Sequence, residues 1–183
     1  MAIGTALCNY TQFGIDPFNA FCVGASKRIE LSSGIFTLVS QTIISVFVFC
    51  ISKKYLGIGT IIPMLFFGYL LQLMNYPVNY FIPHLMSDSL KIGIFIIGIL
   101  FIAFGMSLYM NCDLGMVPYD GISFAMSDKI KKNPFFLRVI LDIVFSFIAY
   151  MVGGPIQIGT VFIAFGIGPI LNLMNLFTKK FIK

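Results

Sequence analysis

The sequence predicts an all-α polytopic membrane protein made of two homologous three-helix halves, each with a short re-entrant or interfacial helix. Three observations predict it. Of 183 residues, 58% are hydrophobic and only 10% charged, with 21 Phe and a mean hydropathy of +0.96. Soluble domains carry about 25% charged residues, and a soluble monomer of this composition would expose apolar patches that such proteins avoid. The chain also holds several charge-free stretches long enough to cross about 30 Å of hydrocarbon. Finally, it matches itself at a constant offset of 101 residues. A water-soluble enzyme, a nucleic-acid-binding protein and a disordered chain are excluded. The net charge of +5 therefore reports membrane topology, with no nucleic-acid partner implied.

Residues 1–13 are apolar but too short to cross, and no basic region follows Met1, so no cleavable signal peptide is expected. Residues 17–26 follow a Gly-x-x-Pro turn and form about three helical turns. The stretch 31–52 is free of charge up to Lys53 and Lys54, giving a span near 33–52. The stretch 55–83 gives a span near 58–76 and a loop from about Pro77. Lys91 and Asp113 bracket the third span, near 90–111. A second short helix, 118–127, follows the second Gly-x-x-Pro turn. Pro134 suits a first helical turn and opens a span near 134–152 containing Arg138 and Asp142. A turn at Gly153, Gly154 and Pro155 then leads into the last span, near 157–177, which ends at Lys179 and Lys180.

The internal match divides the chain into halves 1–83 and 84–183. Gly4, Leu7, Gly14, Pro17 and Asn19 stand 101 residues before Gly105, Leu108, Gly115, Pro118 and Asp120. Ser26 and Ser45 likewise precede Ser127 and Ser146. After a one-residue slip, Gly59, Thr60, Gly68, Leu71 and Asn75 match Gly159, Thr160, Gly168, Leu171 and Asn175. Shared Gly, Pro, Thr and Asn at fixed offsets are not a by-product of membrane composition. The second half opens with a full helix before its turn and the first with only 13 residues, so the first helix of the first half is expected to be largely missing.

The run Leu114, Gly115, Pro118, Tyr119, Asp120, followed by a short helix, a span and a Gly-Thr pair opening the next span (Gly59–Thr60, Gly159–Thr160), resembles the YczE/YyaS/YitT family of bacterial integral membrane proteins. The resemblance covers essentially the whole chain, twice. It implies a six-helix membrane fold, from which this chain departs by its short first helix and by Asn19 where the second half has Asp120. It implies no particular activity.

Charge placement leaves two arrangements. If the short helices only dip into the membrane, the halves are inverted, and Lys53, Lys54, Lys129, Lys131, Lys132, Arg138, Lys179, Lys180 and Lys183 share one side against Lys27, Arg28 and Lys91. If they cross fully, the halves are parallel and only Lys53 and Lys54 lie outside. Both place the C-terminus in the cytoplasm. Ten or eleven helical residues reach only about 16 Å, which favours dipping. The absence of Trp and the abundance of Ile, Phe and Lys fit an AT-rich bacterial genome, hence a bacterial cytoplasmic membrane.

Three sets of residues can carry chemistry. Arg138, Asp142 and Ser146 share one helix face at i, i+4 and i+8, with Thr37, Gln41 and Ser45 as first-half counterparts. A carboxylate within a span usually faces the bundle interior and marks function; the alternative is an edge pair with Arg138 snorkelling to the headgroups. Asp16, Asn19 and Asp120 flank the Pro turns, where a helix N-terminus aimed into the membrane suits a transporter site and simple capping is the alternative. Gly68, Gln72, Asn75 and Gly168, Asn172, Asn175 line one face of each last span, as a site or as helix–helix glue. Gly59–Thr60 and Gly159–Thr160 read as turn plus cap. Cys8, Cys22, Cys50 and Cys112 lack metal-ligand spacing and read as small buried hydrophobes, and His84 as a solvated loop residue. With no nucleophile–base pair, phosphate loop or metal cluster, neither an enzyme nor a cofactor or metal is expected.

The pattern fits a small secondary-transporter-like permease, with Arg138, Asp142, Gln41 and the Pro turns converging near the midplane. Arg138 beside Asp142 suits a small zwitterion or anion, with proton coupling through Asp142. The alternative is a non-transporting subunit or chaperone-like partner of another complex, with a homodimer or second chain covering the gap beside the short first helix.

Overall fold

The computed structural model describes residues 1–81, 87–112 and 114–182; the side chains of residues 68, 72, 79, 81, 181 and 182 are outside that description. The described residues form eight α-helices: α1 (Ala2–Thr11), α2 (Pro17–Arg28), α3 (Ser33–Ile51), α4 (Ile58–Phe81), α5 (Asp88–Asn111), α6 (Pro118–Ile130), α7 (Pro134–Met151) and α8 (Ile158–Ile182). A single 3₁₀ turn, Lys53–Tyr55, joins α3 to α4. Helices α3, α5, α7 and α8 are long and apolar enough to cross a membrane. Helix α4 is a fifth span if its limbs Ile58–Phe67 and Tyr69–Val78, bent by 47°, count as one.

Helix starts follow local chemistry. Asp16 accepts a hydrogen bond from the Asn19 N–H at 3.1 Å and is followed by Pro17; Asn133 accepts from the Phe135 N–H at 2.9 Å and is followed by Pro134. Both are side-chain caps with a proline in the first turn, where its missing N–H costs nothing. The loop expected from Pro77 is not there: α4 continues to Phe81 with Pro63 and Pro77 inside it. Prolines are tolerated within membrane helices because neighbouring groups satisfy the freed carbonyls, and the bend at residue 68 lies between the two.

Two cores hold the helices together. Cys8, Phe95, Ile99 and Met106 pack with Ile163 and Leu171 between α1, α5 and α8. Phe18, Cys22, Val48, Tyr119 and Ile122 pack between α2, α3 and α6. Only Cys8 and Cys22 of the four cysteines are buried; Cys50 and Cys112 are exposed, correcting the expectation that all four fill the interior. Cys50 lies on α3, which turns most of its surface outward, including Ile43, Val46 and Phe47. In a bilayer that surface contacts acyl chains at no hydrophobic cost.

Each short helix is tied near both of its ends to one connection between long helices. At one end of the bundle, the Met116 N–H donates to the Tyr55 carbonyl at 2.8 Å and the Tyr55 hydroxyl donates to Asp128 at 2.7 Å, so Tyr55 holds both ends of α6. At the other, the Gly159 N–H donates to the Phe13 carbonyl at 2.7 Å and Arg28 donates to the Met151 carbonyl at 2.9 Å, so both ends of α2 lie beside the α7–α8 connection. Helices α2 and α6 therefore lie against opposite ends of α7.

The two Gly-x-x-Pro turns have matching partners. The Gly59 N–H donates to the Leu114 carbonyl at 2.8 Å, as Gly159 does to Phe13. Gly14 (φ 128°) and Gly115 (φ 111°) adopt a conformation that L side chains rarely reach. A Cβ on Gly14 would lie 2.5 Å from Thr160 Oγ1, and one on Gly115 2.7 Å from Thr60 Oγ1. Thr60 and Thr160 in turn accept from the N–H groups of Gly57 (3.1 Å) and Gln157 (3.4 Å). Each Pro turn thus seats on the Gly-Thr start of a long helix from the other part of the chain.

Candidate functional site: a buried charge cluster at the start of α6

Asp142 lies halfway along the 18-residue α7 and is fully buried, with no exposed surface. At 1.5 Å per residue it is about 12 Å from the helix start. One turn earlier, Arg138 donates through Nε to both Asp142 oxygens, at 3.3 and 3.1 Å. The Arg138 Nη1 group pairs with Asp120 Oδ1 on α6, and the guanidinium lies over the Tyr119 ring, 4.4 Å from its centroid. The Tyr119 hydroxyl donates to Asp142 Oδ1 at 2.7 Å. Arg138 is 6% exposed and Asp120 4%, so this is an interior cluster and not an edge pair that snorkels to the headgroups.

The backbone explains why the charges meet there. Pro118 starts α6 at the depth of Arg138, and Asp120 falls in its first turn. Asp120 makes no cap: Val117 occupies the cap position without a side-chain hydrogen bond. Arg138 supplies the Asp120 counter-charge. Helices α6 and α7 are joined by two polar links, Tyr119–Asp142 and Asp120–Arg138. The Arg138–Asp142 link lies within α7 and moves with it.

Aromatic rings close the cluster off. Phe18 stacks on Tyr119 at 4.8 Å, and Phe145 meets both edge-on, at 5.7 and 5.1 Å. Asp16, at the start of α2, lies two residues before Phe18, which stacks on Tyr119.

Of the residues singled out from sequence, Arg138, Asp142 and Asp120 come together, with Asp16 close by. Asn19 does not join them; its side-chain amide donates back to Asp16, as its backbone does. Gln41 Oε1 and Ser146 Oγ are buried without a hydrogen-bond partner among the described residues. Asn175 belongs elsewhere: Asn111 on α5 donates to Asn175 Oδ1 at 2.8 Å and to Thr178 Oγ1 at 2.7 Å, and Ser107 meets Thr178 at 2.5 Å. This is a buried polar seam between α5 and α8. Asn75 and Asn172 are half-buried on α4 and α8, while the side chain of Gln72, and His84 altogether, lie outside the described residues. Tyr119 was missed from sequence because a tyrosine in a Phe-rich chain carries no signal of its own; its place beside Asp120 at a Pro turn was the only hint. Among the described residues no three His, Cys, Asp or Glu side chains converge on a possible metal site.

A bundle of apolar spans, two short helices lying against opposite ends of α7 and a charge cluster halfway along one span define an integral, multi-pass helical membrane protein. The chain belongs to the DUF6198 family, a family of unknown function whose model matches residues 1–176. It is 26% identical over 159 residues to the "Uncharacterized membrane protein YczE" of Bacillus subtilis, covering 87% of this chain and 72% of that one. It is 27% identical over 160 residues to the "Uncharacterized protein YyaS" of the same organism, covering 87% and 79%. A Haemophilus influenzae "Uncharacterized protein" is 26% identical over 179 residues, covering 94% and 77%. No solved structure matches the chain.

Proposed function

We propose that this protein is a small secondary-transporter-like permease, not an enzyme, whose site is the Arg138–Asp142–Asp120 cluster. One observation carries the reading: three charged side chains, none more than 6% exposed, meet at the N-terminus of a short helix halfway along a span. Buried charge is costly, and inside membrane proteins it marks ion and substrate paths. Related halves 1–83 and 84–183, inserted in opposite senses, complete the proposal; the places of α2 and α6 against opposite ends of α7 support them.

The geometry favours a cationic ligand over the zwitterion or anion that Arg138 alone suggests. The guanidinium is engaged at Nε, at Nη1 and across its face. Two carboxylates meet one guanidinium, leaving one negative charge that the α6 N-terminus, worth about half a charge, offsets only in part. Ser146, one turn beyond Asp142, adds a buried oxygen without a partner. A proton or a small protonated amine supplies the missing charge and donors. Neutralising Asp120 removes one of the two polar links between α6 and α7, which gives a positive charge a means of loosening the short helix.

The topology that goes with this places the C-terminus in the cytoplasm. Lys53, Lys54, Lys129, Lys131 and Lys132 flank Tyr55 and the α6–α7 connection, and Lys179 and Lys180 end α8; Lys27, Arg28 and Lys91 lie at the other end. Burial removes Arg138 from the count, and the excess remains on the first side, the cytoplasmic side by the positive-inside rule.

The test is a thermal-shift screen of the purified protein against amines, inorganic cations, amino acids and organic anions, with Asp120→Asn alongside. A ligand at 100 times its Kd adds about 2.7 kcal/mol to a reversible unfolding equilibrium. An amine or cation that stabilises wild type and not Asp120→Asn supports the reading. A response to anions alone, or one unchanged by the substitution, removes the cluster from ligand binding. The second reading, a non-transporting subunit or chaperone-like partner of another complex, is favoured by the internal pairing of the α5–α8 seam. Co-purification of a stoichiometric partner in mild detergent supports it.

A further inference from the structure

At the Tyr55 end of the bundle a cleft of about 340 Å³ opens between the 3₁₀ turn and the α5–α6 connection, lined by Lys54, Tyr55, Met110, Gly115 and Met116. The buried charge cluster does not use it. Tyr55 has little left to offer a ligand, because its hydroxyl donates to Asp128 and its carbonyl accepts from Met116. The polar group remaining at the mouth is the Lys54 ammonium, 5.3 Å from the Tyr55 ring centroid. Lys53 lies beside it, over the exposed, lipid-side ring of Phe49 at 4.8 Å. Neither lysine is in an ion pair among the described residues. Through Tyr55 and Asp128 the same end also holds Lys129, Lys131 and Lys132, while Asp128 already accepts from Tyr55.

The cleft therefore combines an apolar floor, Met110 and Met116, with a cationic rim at the edge of the membrane-crossing helices. A free anion gains nothing from the two methionines. A phosphate attached to a glycerol backbone and acyl chains uses both parts, and each lysine near an anionic surface is worth about 1 kcal/mol. At the opposite end, 100 or 101 residues after Lys53 and Lys54, the chain has Gly153, Gly154 and Pro155, and the nearby Arg28 is engaged by the Met151 carbonyl.

We propose that this cleft binds the headgroup of an anionic phospholipid, with the phosphate at Lys54 and the glycerol region on Met110 and Met116, in the leaflet on the Lys-rich side. The test uses the purified full chain in a neutral detergent, its Tm read with added phosphatidylglycerol, phosphatidylcholine or inorganic phosphate. Phosphatidylglycerol is expected to raise the Tm by several degrees and the other two to leave it unchanged. Lys54→Gln, at an exposed position, is expected to keep the basal Tm and lose more than half of the lipid shift, whereas Lys180→Gln keeps the shift. An equal effect of phosphatidylcholine, a full effect of phosphate alone, or an undiminished shift in Lys54→Gln overturns the proposal. The transport reading is untouched by any of these outcomes.

Discussion

Phe18 and Tyr119 stack face to face, their centroids 4.8 Å apart and their planes at 21°, and they stand 101 residues apart, the spacing at which the sequence matches itself. Each is the residue after the proline that starts its short helix. The two short helices, lying against opposite ends of α7, thus meet through equivalent side chains. The surroundings of the pair are not equivalent: the Tyr119 hydroxyl reaches Asp142, and Phe18 has no such group. One polar atom distinguishes the charged side of the pair from the neutral one.

Tyr119→Phe is the smallest change that separates the ring from its hydroxyl. The stack on Phe18 and the edge contact with Phe145 survive, while a buried hydrogen bond to a carboxylate is lost, worth about 1.5–3 kcal/mol. Denaturant or thermal unfolding in detergent is expected to show a loss in that range. A loss below about 0.5 kcal/mol, where hydrogen bonds between membrane helices average about 0.6, assigns the site's rigidity to the rings alone.

Removing the cation is expected to cost more than removing either anion. Arg138→Met leaves Asp120 and Asp142 buried without their counter-charge, and breaking such a pair typically costs 3–5 kcal/mol. Adding Asp120→Asn in that background removes one of the uncompensated charges and recovers part of the loss. The two changes measured singly and together therefore give a sum of single effects larger than the effect of the double variant. Strict additivity would mean that Asp120 and Arg138 are not coupled.

The fold was legible from sequence wherever one strong force acted alone. Hydropathy fixed the spans at 33–52, 90–111 and 134–152 to within two residues of α3, α5 and α7 at either end, because the hydrocarbon thickness sets helix length directly. It failed at Pro77, where tertiary support lets a helix pass through a proline. At the site, the i, i+4 spacing of Arg138 and Asp142 was readable because it is local. The third charge was legible only as one of two readings: Asp120 in a first turn reads as a site residue or as a cap, and it is the packing of α6 on α7 that turns it towards Arg138. The same holds for the Gly-x-x-Pro and Gly-Thr motifs, readable separately as turns and caps and found in the structure to be each other's partners.

That partnership makes Gly14 and Gly115 intolerant positions for two separate reasons. Ala at either is strained by the positive φ, at about 1–3 kcal/mol, and its Cβ would collide with Thr160 or Thr60. Gly153 supplies the control, having φ 78° and nothing within 4 Å of a Cβ. Gly153→Ala is expected to show the strain alone, and Gly14→Ala and Gly115→Ala clearly larger losses in Tm. Equal losses at all three would show that the turns do not press on the threonines.

Tyr55 predicts a pH dependence at the Lys-rich end. Burial, with the hydrogen bond to Asp128 and its charge as further causes, pushes the Tyr55 hydroxyl well above the usual tyrosine range. The folded state therefore holds this proton more tightly than the unfolded state. The resulting stability is complete below about pH 10, the ordinary tyrosine value. Above it the unfolded chain ionises Tyr55 while the folded chain does not, and stability falls by about 1.36 kcal/mol per pH unit until the folded value is reached. Tyr55→Phe lacks both the hydrogen bond and the titration. At pH 7 it is expected to be less stable by about 1.5–3 kcal/mol, and between pH 10 and 11 the gap to wild type is expected to narrow. The other tyrosines titrate alike in both proteins and cancel. Melting curves of the pair at pH 7, 10 and 11 decide it: parallel curves would mean that Tyr55 ionises as easily in the folded protein as in the unfolded chain, and that its bond to Asp128 does not hold α6 to the end of α3.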